Sequence, residues 1–122
     1  MSASTPPSDE RPWPQTAEEL MRSRFLAFKT GDLTWLRATW HPSTRPDDLA
    51  PEPDIRWRGV QIVDTVAGGP DDAEGVVEFR ATYSVAAPDE AGRGRRPGVM
   101  HERSRFVRLH GRWVYLDGEQ LD

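Results

Sequence analysis

The sequence predicts an α+β domain in which N-terminal helices pack on the concave face of a curved, antiparallel, four-stranded meander. Three observations predict it. Apolar residues recur at helical spacing over the first third of the chain, the period shifts to alternation from about Ile55, and the alternating part ends in a tight hairpin with one aromatic face. Helices first and strands afterwards is the pattern of segregated elements, with the helices covering the one apolar side of the sheet.

The hairpin is the firmest element. In VMHERSRFVRLHGRWVYLDGE, residues 99–119, two β-rich runs flank His110-Gly111, a dipeptide suited to a two-residue reversal. Such a turn sets the register. Leu109 pairs with Arg112, Arg108 with Trp113, Val107 with Val114, Phe106 with Tyr115, Arg105 with Leu116, Ser104 with Asp117, Arg103 with Gly118 and Glu102 with Glu119. Alternation then puts Trp113, Phe106, Tyr115, Ser104, Asp117, Glu102 and Glu119 on one face, an aromatic floor running into a polar cluster. His101, Arg103, Arg105, Val107, Val114 and Leu116 take the other, partly solvated face.

The remaining elements follow in order. Residues 1–15 are rich in Ser and Pro and lack apolar period, which predicts a flexible lead-in, with Trp13 pinning its end to the domain. Thr16-Ala17-Glu18-Glu19 is a capping box. The helix it opens carries Ala17, Leu20, Met21, Phe25 and Phe28 at helical spacing and ends at Gly31. Arg24 falls within that apolar stripe, where an arginine calls for a carboxylate. Asp32 caps a second helix over 33–40, with Leu33, Leu36 and Trp40 on one side and His41-Pro42 as its stop. Residues 46–49 read as a short helical turn in a proline-rich segment. Strands are expected at 56–66 and 75–85, joined by the turn Gly68-Gly69-Pro70-Asp71-Asp72. Val77, Phe79, Ala81 and Tyr83 share one face of the second. For the first strand, alternation leaves two choices open: Trp57 inward, or Val60 with Ile62. Residues 86–98 read as a mobile linker.

Composition narrows the function classes. A chain of 122 residues has room for one domain with a real core, read here as 16–122, and no internal repeat argues for a solenoid. The five Trp and four Phe concentrate burial in a few large side chains. A net charge of -4 speaks against a nucleic-acid or anionic-membrane binder, although Arg93, Arg95 and Arg96 make a basic loop tip. With zero cysteines there are no disulfides, thiolate metal sites or cysteine nucleophiles. His101 and His110 lie on opposite hairpin faces by parity, so no metal is expected, and no phosphate-cradling loop of the GxxxxGK[ST] kind is present. A Ser104, His41 and Asp117 triad lacks any supporting spacing, and a serine in mid-strand lacks the exposed elbow of a nucleophile. No secretory leader or membrane span is visible, which makes the cytoplasm the expected compartment.

Several runs together resemble a known family. AEELMRSRFLAF at 17–28, TWHPSTRP at 39–46, the strand around Trp57, AGGPDDAEGVVEFRATY at 67–83, HERSRF at 101–106 and WVYLDGE at 113–119 are similar in order and kind to the YchJ-like family. The resemblance implies a nuclear transport factor 2-like cone, helices inside a curved sheet, and cones of this kind pair through exposed sheet faces, so a homodimer is an expectation. It implies no activity. Many members carry a cysteine-rich, zinc-knuckle-like segment ahead of the domain, and the expectation here is a chain without one.

The candidate site is the polar end of the cone. Arg24, Trp40, His41, Trp57, Glu102, Ser104, Phe106, Tyr115 and Asp117 are the expected ligand-binding residues, an apolar pocket closed by a few polar groups. Two readings of the cluster stay open: Arg24 joined to Glu102 or Asp117 as a structural ion pair, or the same groups as a site. Two functions follow. The first is a non-catalytic domain that holds a small molecule or a protein without a cofactor. The second is a cofactor-independent isomerase, dehydratase or hydrolase, by fold analogy with ketosteroid isomerase, in which Glu102, Asp117 or His41 moves a proton in an apolar pocket.

Overall fold

The computed structural model describes residues 12–121. Their elements run α1 (Ala17–Thr30), α2 (Leu33–Ala38), β1 (Ile55–Ala67), β2 (Glu74–Ala86), β3 (Arg95–Leu109) and β4 (Arg112–Leu121). The strands form one antiparallel sheet in the order β1-β2-β3-β4, with both helices on its inner side. The expected class, α+β with a four-stranded meander, is what the chain adopts. Of the flexible lead-in expected over 1–15, residues 1–11 lie outside the described residues. Trp13 does pin the chain: its Nε1 donates to the Trp113 carbonyl at 2.8 Å and its ring stands 5.0 Å from that of Trp35.

Helix α1 begins as its capping box requires. Thr16 is extended, its Oγ1 accepts the Glu19 amide at 3.1 Å, and Gly31 ends the helix at φ +77°. Its first turn docks on the β1–β2 turn, where the Ala17 amide donates to the Gly68 carbonyl at 2.9 Å. A side chain at Gly68 would overlap Ala17, so the turn glycine also serves helix packing. The buried face of α1 is Ala17, Leu20, Met21, Arg24 and Ala27.

Helix α2 is shorter than expected. It stops at Ala38 because the next residues pair with β4: the Tyr115 amide donates to the Thr39 carbonyl and the His41 amide to the Tyr115 carbonyl, both at 2.8 Å. The helical turn expected at 46–49 is a simple turn, since the Thr44 and Arg45 amides turn back to the His41 carbonyl instead.

Bulges decide which side chains face inward. In β1, Arg58 has no partner between the pairs Trp57↔Tyr83 and Gly59↔Thr82. The extra residue resets the alternation, so Trp57, Val60 and Ile62 all pack against the core, and the two choices left by parity are both realised. In the β3–β4 hairpin, His110 (φ +52°) and Gly111 (φ +81°) make the primed turn that strand twist favours. The ladder runs as predicted from Leu109↔Arg112 to Phe106↔Tyr115. There Leu116 drops out of it, and pairing resumes at Arg105↔Asp117, Ser104↔Gly118, Arg103↔Glu119 and Glu102↔Gln120. A one-residue slip exchanges faces. The predicted pairs from Arg105 onward are corrected, and the cause is tertiary: Thr44 Oγ1 donates to the Leu116 carbonyl as residues 39–44 cross the edge of β4.

The expected linker over 86–98 is also shorter. Residues 95–98 extend the ladder opposite Tyr83–Ala86, leaving a loop of 87–94. Arg95, read from the sequence as part of a basic tip, is an anchor: its Nε donates to Ser84 Oγ at 2.9 Å and its Nη2 to the Ser84 and Asp54 carbonyls at 2.9 and 3.0 Å.

Between helices and sheet sits one core of Leu20, Met21, Trp35, Leu36, Val77, Phe79, Ala81, Phe106 and Trp113. Trp113 is sealed, its Nε1 donating to the Gln15 carbonyl at 3.0 Å. The outer sheet face carries an ion-pair network beside exposed valines such as Val66 and Val99. Glu78 bonds His101 at 2.7 Å and Arg103 at 2.8 Å, and Arg103 reaches Asp64 at 3.1 Å. No helix among the described residues is long and apolar enough to cross a membrane.

Candidate functional site

The core does not fill the cone. Between α1, the inner sheet face and residues 46–52 lies a cavity of about 560 Å³, within the size range of small-molecule sites. Met21, Phe25 and Phe28 line it from α1, Trp57, Phe79, Ala81, Met100 and Phe106 from the sheet, and Pro46, Asp48, Leu49, Ala50, Pro51 and Glu52 from the rim. Arg24, Trp40, Glu102, Ser104 and Tyr115 close its polar end.

Glu102 is the hub of that end. Only 8% of it is exposed. Ser104 Oγ and the Tyr115 hydroxyl donate to its Oε2 at 2.5 and 3.1 Å, and Gln120 Nε2 donates to its Oε1 at 2.6 Å. Burial first, and then the neighbouring Glu102 carboxylate, push the Tyr115 phenol well above its ordinary pKa, so it keeps its proton and remains a donor. Gly118, opposite Ser104, gives the Glu102 side chain room to lie across β4.

Arg24 does not do what its place in the stripe suggested. It forms no ion pair among the described residues. Its Nη1 donates to Thr39 Oγ1 at 2.7 Å and to the Leu36 carbonyl at 3.1 Å, at the end of α2. The guanidinium carbon lies 4.7 Å from the Trp40 ring centroid and 4.6 Å from that of Tyr115, a cation against two aromatic rings that themselves meet edge to face. Desolvation lowers its pKa from 12.5 to about 10, with Tyr115 and Glu102 partly opposing the shift. At neutral pH it is a charged group.

Of the nine residues expected at the site, Arg24, Trp40, Trp57, Glu102, Ser104, Phe106 and Tyr115 line the cavity, and two do not. Asp117 is turned to the outer face by the Leu116 bulge, where Arg105 takes it with both Nε and Nη2, at 2.7 and 2.5 Å, and holds its carboxyl below the usual value. Glu119 moves to the same side, opposite Arg103. His41 is occupied locally: its Nδ1 accepts the Ser43 amide at 3.0 Å. Gln120, Gly118 and Thr39 were not read as site residues. For Gly118 a signal existed, since a glycine inside a strand marks a close approach. Gln120 had none without the bulge. Among the described residues no three His, Asp or Glu side chains are placed to hold a metal ion.

An antiparallel meander curved over helices, with a cavity opening between them, defines a nuclear transport factor 2-like domain. The chain belongs to the YchJ_M-like family: the family model described as the YchJ middle NTF2-like domain matches residues 16–118. Among curated relatives, UPF0225 protein SCO1677 of Streptomyces coelicolor is 50% identical over 107 residues, 88% of this chain and 77% of that protein. UPF0225 protein Mpe_A2093 of Methylibium petroleiphilum is 51% identical over 104 residues, 84% of this chain and 69% of that one. The fold is shared with the solution structure of a SEC-C motif containing protein from Rhodopseudomonas palustris, at a TM-score of 0.72 and 24% identity over 91% of this chain and 83% of that one.

Proposed function

We propose that this domain is a non-catalytic binding module that holds a small, largely apolar molecule in the cone cavity. The observation that carries the reading is the cavity itself: aromatic and aliphatic walls, a volume of about 560 Å³ and polar groups gathered at one end. The acid–base alternative has less to work with. Of Glu102, Asp117 and His41, only Glu102 lines the cavity, and its two oxygens accept three donors already. A general base needs an oxygen aimed at its substrate. A satisfied carboxylate suits a fixed wall better than a proton shuttle.

The test is fluorescence titration with the neutral apolar probe N-phenyl-1-naphthylamine. Saturable, one-to-one enhancement is expected, lost in Met100→Trp, whose side chain would occupy the cavity. Circular dichroism checks that this variant folds. Absence of saturable binding, or equal binding by a folded Met100→Trp, overturns the reading.

A further inference from the structure

We propose that the cavity's ligand carries a carboxylate, seated on the Nε–Nη2 edge of Arg24, with its apolar body along the aromatic walls. The inference rests on the binding function above and names the head group that function requires.

Arg24 is only 5% exposed, yet most of its hydrogen-bonding capacity, the Nε donor and both Nη2 donors, is unused among the described residues. Both of its protein bonds leave from Nη1, to Thr39 Oγ1 and the Leu36 carbonyl. The Nε and Nη2 donors have no partner among the described residues. They are not sealed away either, since Trp40 Nε1 is the one described side-chain nitrogen or oxygen both sealed and unpartnered. Arg24 lines the cavity, the space in which a ligand would meet that free edge.

That edge has a specific chemistry. Two parallel N–H groups on one side of a planar cation match the two oxygens of a carboxylate, a strong, charge-assisted and directional pairing. The cation is fixed beforehand. Nη1 is tied to the end of α2 and the guanidinium packs against the Trp40 and Tyr115 rings, so little side-chain freedom remains to be lost on binding. A buried charge without a carboxylate partner is also costly to keep. Its lowered pKa is the mark of that cost.

The other charges around the cavity do not compete for this position. Glu102 is engaged by Ser104, Tyr115 and Gln120. Asp48 and Glu52 stand on the exposed rim, where water and salt screen them.

The experiment compares three ligands with one apolar body: naphthalene-2-carboxylate, 2-naphthalenemethanol and 2-naphthylmethylammonium, titrated calorimetrically into the wild-type chain at neutral pH. The carboxylate is expected to bind at least about tenfold more tightly than the alcohol, and the ammonium more weakly than either. In Arg24→Lys, which keeps a charge but loses the two-nitrogen edge, and in Arg24→Gln, the carboxylate-to-alcohol ratio is expected to fall to within about twofold. Equal binding of carboxylate and alcohol by the wild type overturns the head group and leaves the cavity function standing. Preference for the ammonium, or a carboxylate preference that survives in both folded variants, overturns it as well. If none of the three binds, the cavity function falls with it. The wild-type series decides even where an Arg24 variant does not fold.

Discussion

Gly118 lies beneath the side chain of Glu102, so that a methyl group at 118 would overlap the carboxylate. The position is extended and has no need of glycine for its backbone. Gly118→Ala is therefore expected to act through Glu102 alone, displacing it from Ser104, Tyr115 and Gln120 at a cost of about 1–3 kcal/mol. A double-mutant cycle by urea unfolding tests this. In a Glu102→Ala background the same substitution should cost less than about 0.5 kcal/mol, and an undiminished cost would refute the linkage.

Trp13 joins the N-terminal segment to the domain through a hydrogen bond to Trp113, a ring contact with Trp35 and the Arg112 guanidinium over its ring. Trp13→Ala should destabilise the fold by about 2–3 kcal/mol, below the range for a fully buried tryptophan. Trp13→Phe keeps a ring beside Trp35 and should lose only about 1 kcal/mol with the bond. Equal losses in the two variants would show that the ring's contacts with Trp35 and Arg112 contribute nothing.

Arg95 ties the loop end of the β2–β3 hairpin to β2 and to residue 54. In Arg95→Ala the ladder opposite Tyr83–Ala86 should fray and the loop at 87–94 lengthen. Hydrogen exchange by mass spectrometry should show faster exchange confined to residues 83–98, with a global loss of about 1–2 kcal/mol. Unchanged local exchange would remove Arg95 as the anchor.

Glu78 is held below its ordinary pKa of 4.5, chiefly by hydrogen bonds from His101 and Arg103. As pH falls below 4.5, the unfolded chain binds more protons than the folded one, so stability is lost through that window and is fully present above it. Asp117, held low by Arg105, acts in the same direction. Urea midpoints measured at neutral pH and at about pH 3.5 should differ less in Glu78→Gln than in the wild type. Identical pH profiles would count against the network as a source of acid sensitivity.

Most of the architecture was legible because it is written in local chemistry. The Thr16 cap, the Gly31 stop, the His110-Gly111 turn and the alternation of Val77, Phe79 and Ala81 each act within a few residues. The seven expected residues that line the cavity lie on α1, just beyond α2, and on stretches of strand where the expected face was realised or left open. Asp117 and Gln120 were not legible for a definite reason. Alternation carries a face assignment along a strand only until a residue is inserted, and the bulge at Leu116 leaves no mark in the residue types around it.

By itself, the sequence determined the class of fold, the order of its elements, the turn that starts the last hairpin and the aromatic character of the inner face. Each depends on spacing, capping or backbone preference, which neighbouring residues settle among themselves. The tertiary structure alone decided that Gln120 rather than Asp117 meets Glu102, and that Arg24 turns Nη1 to α2. Those outcomes come from segments far apart in the chain, Thr44 capturing the Leu116 carbonyl and Thr39 capturing Arg24. Only packing brings such partners within hydrogen-bonding distance.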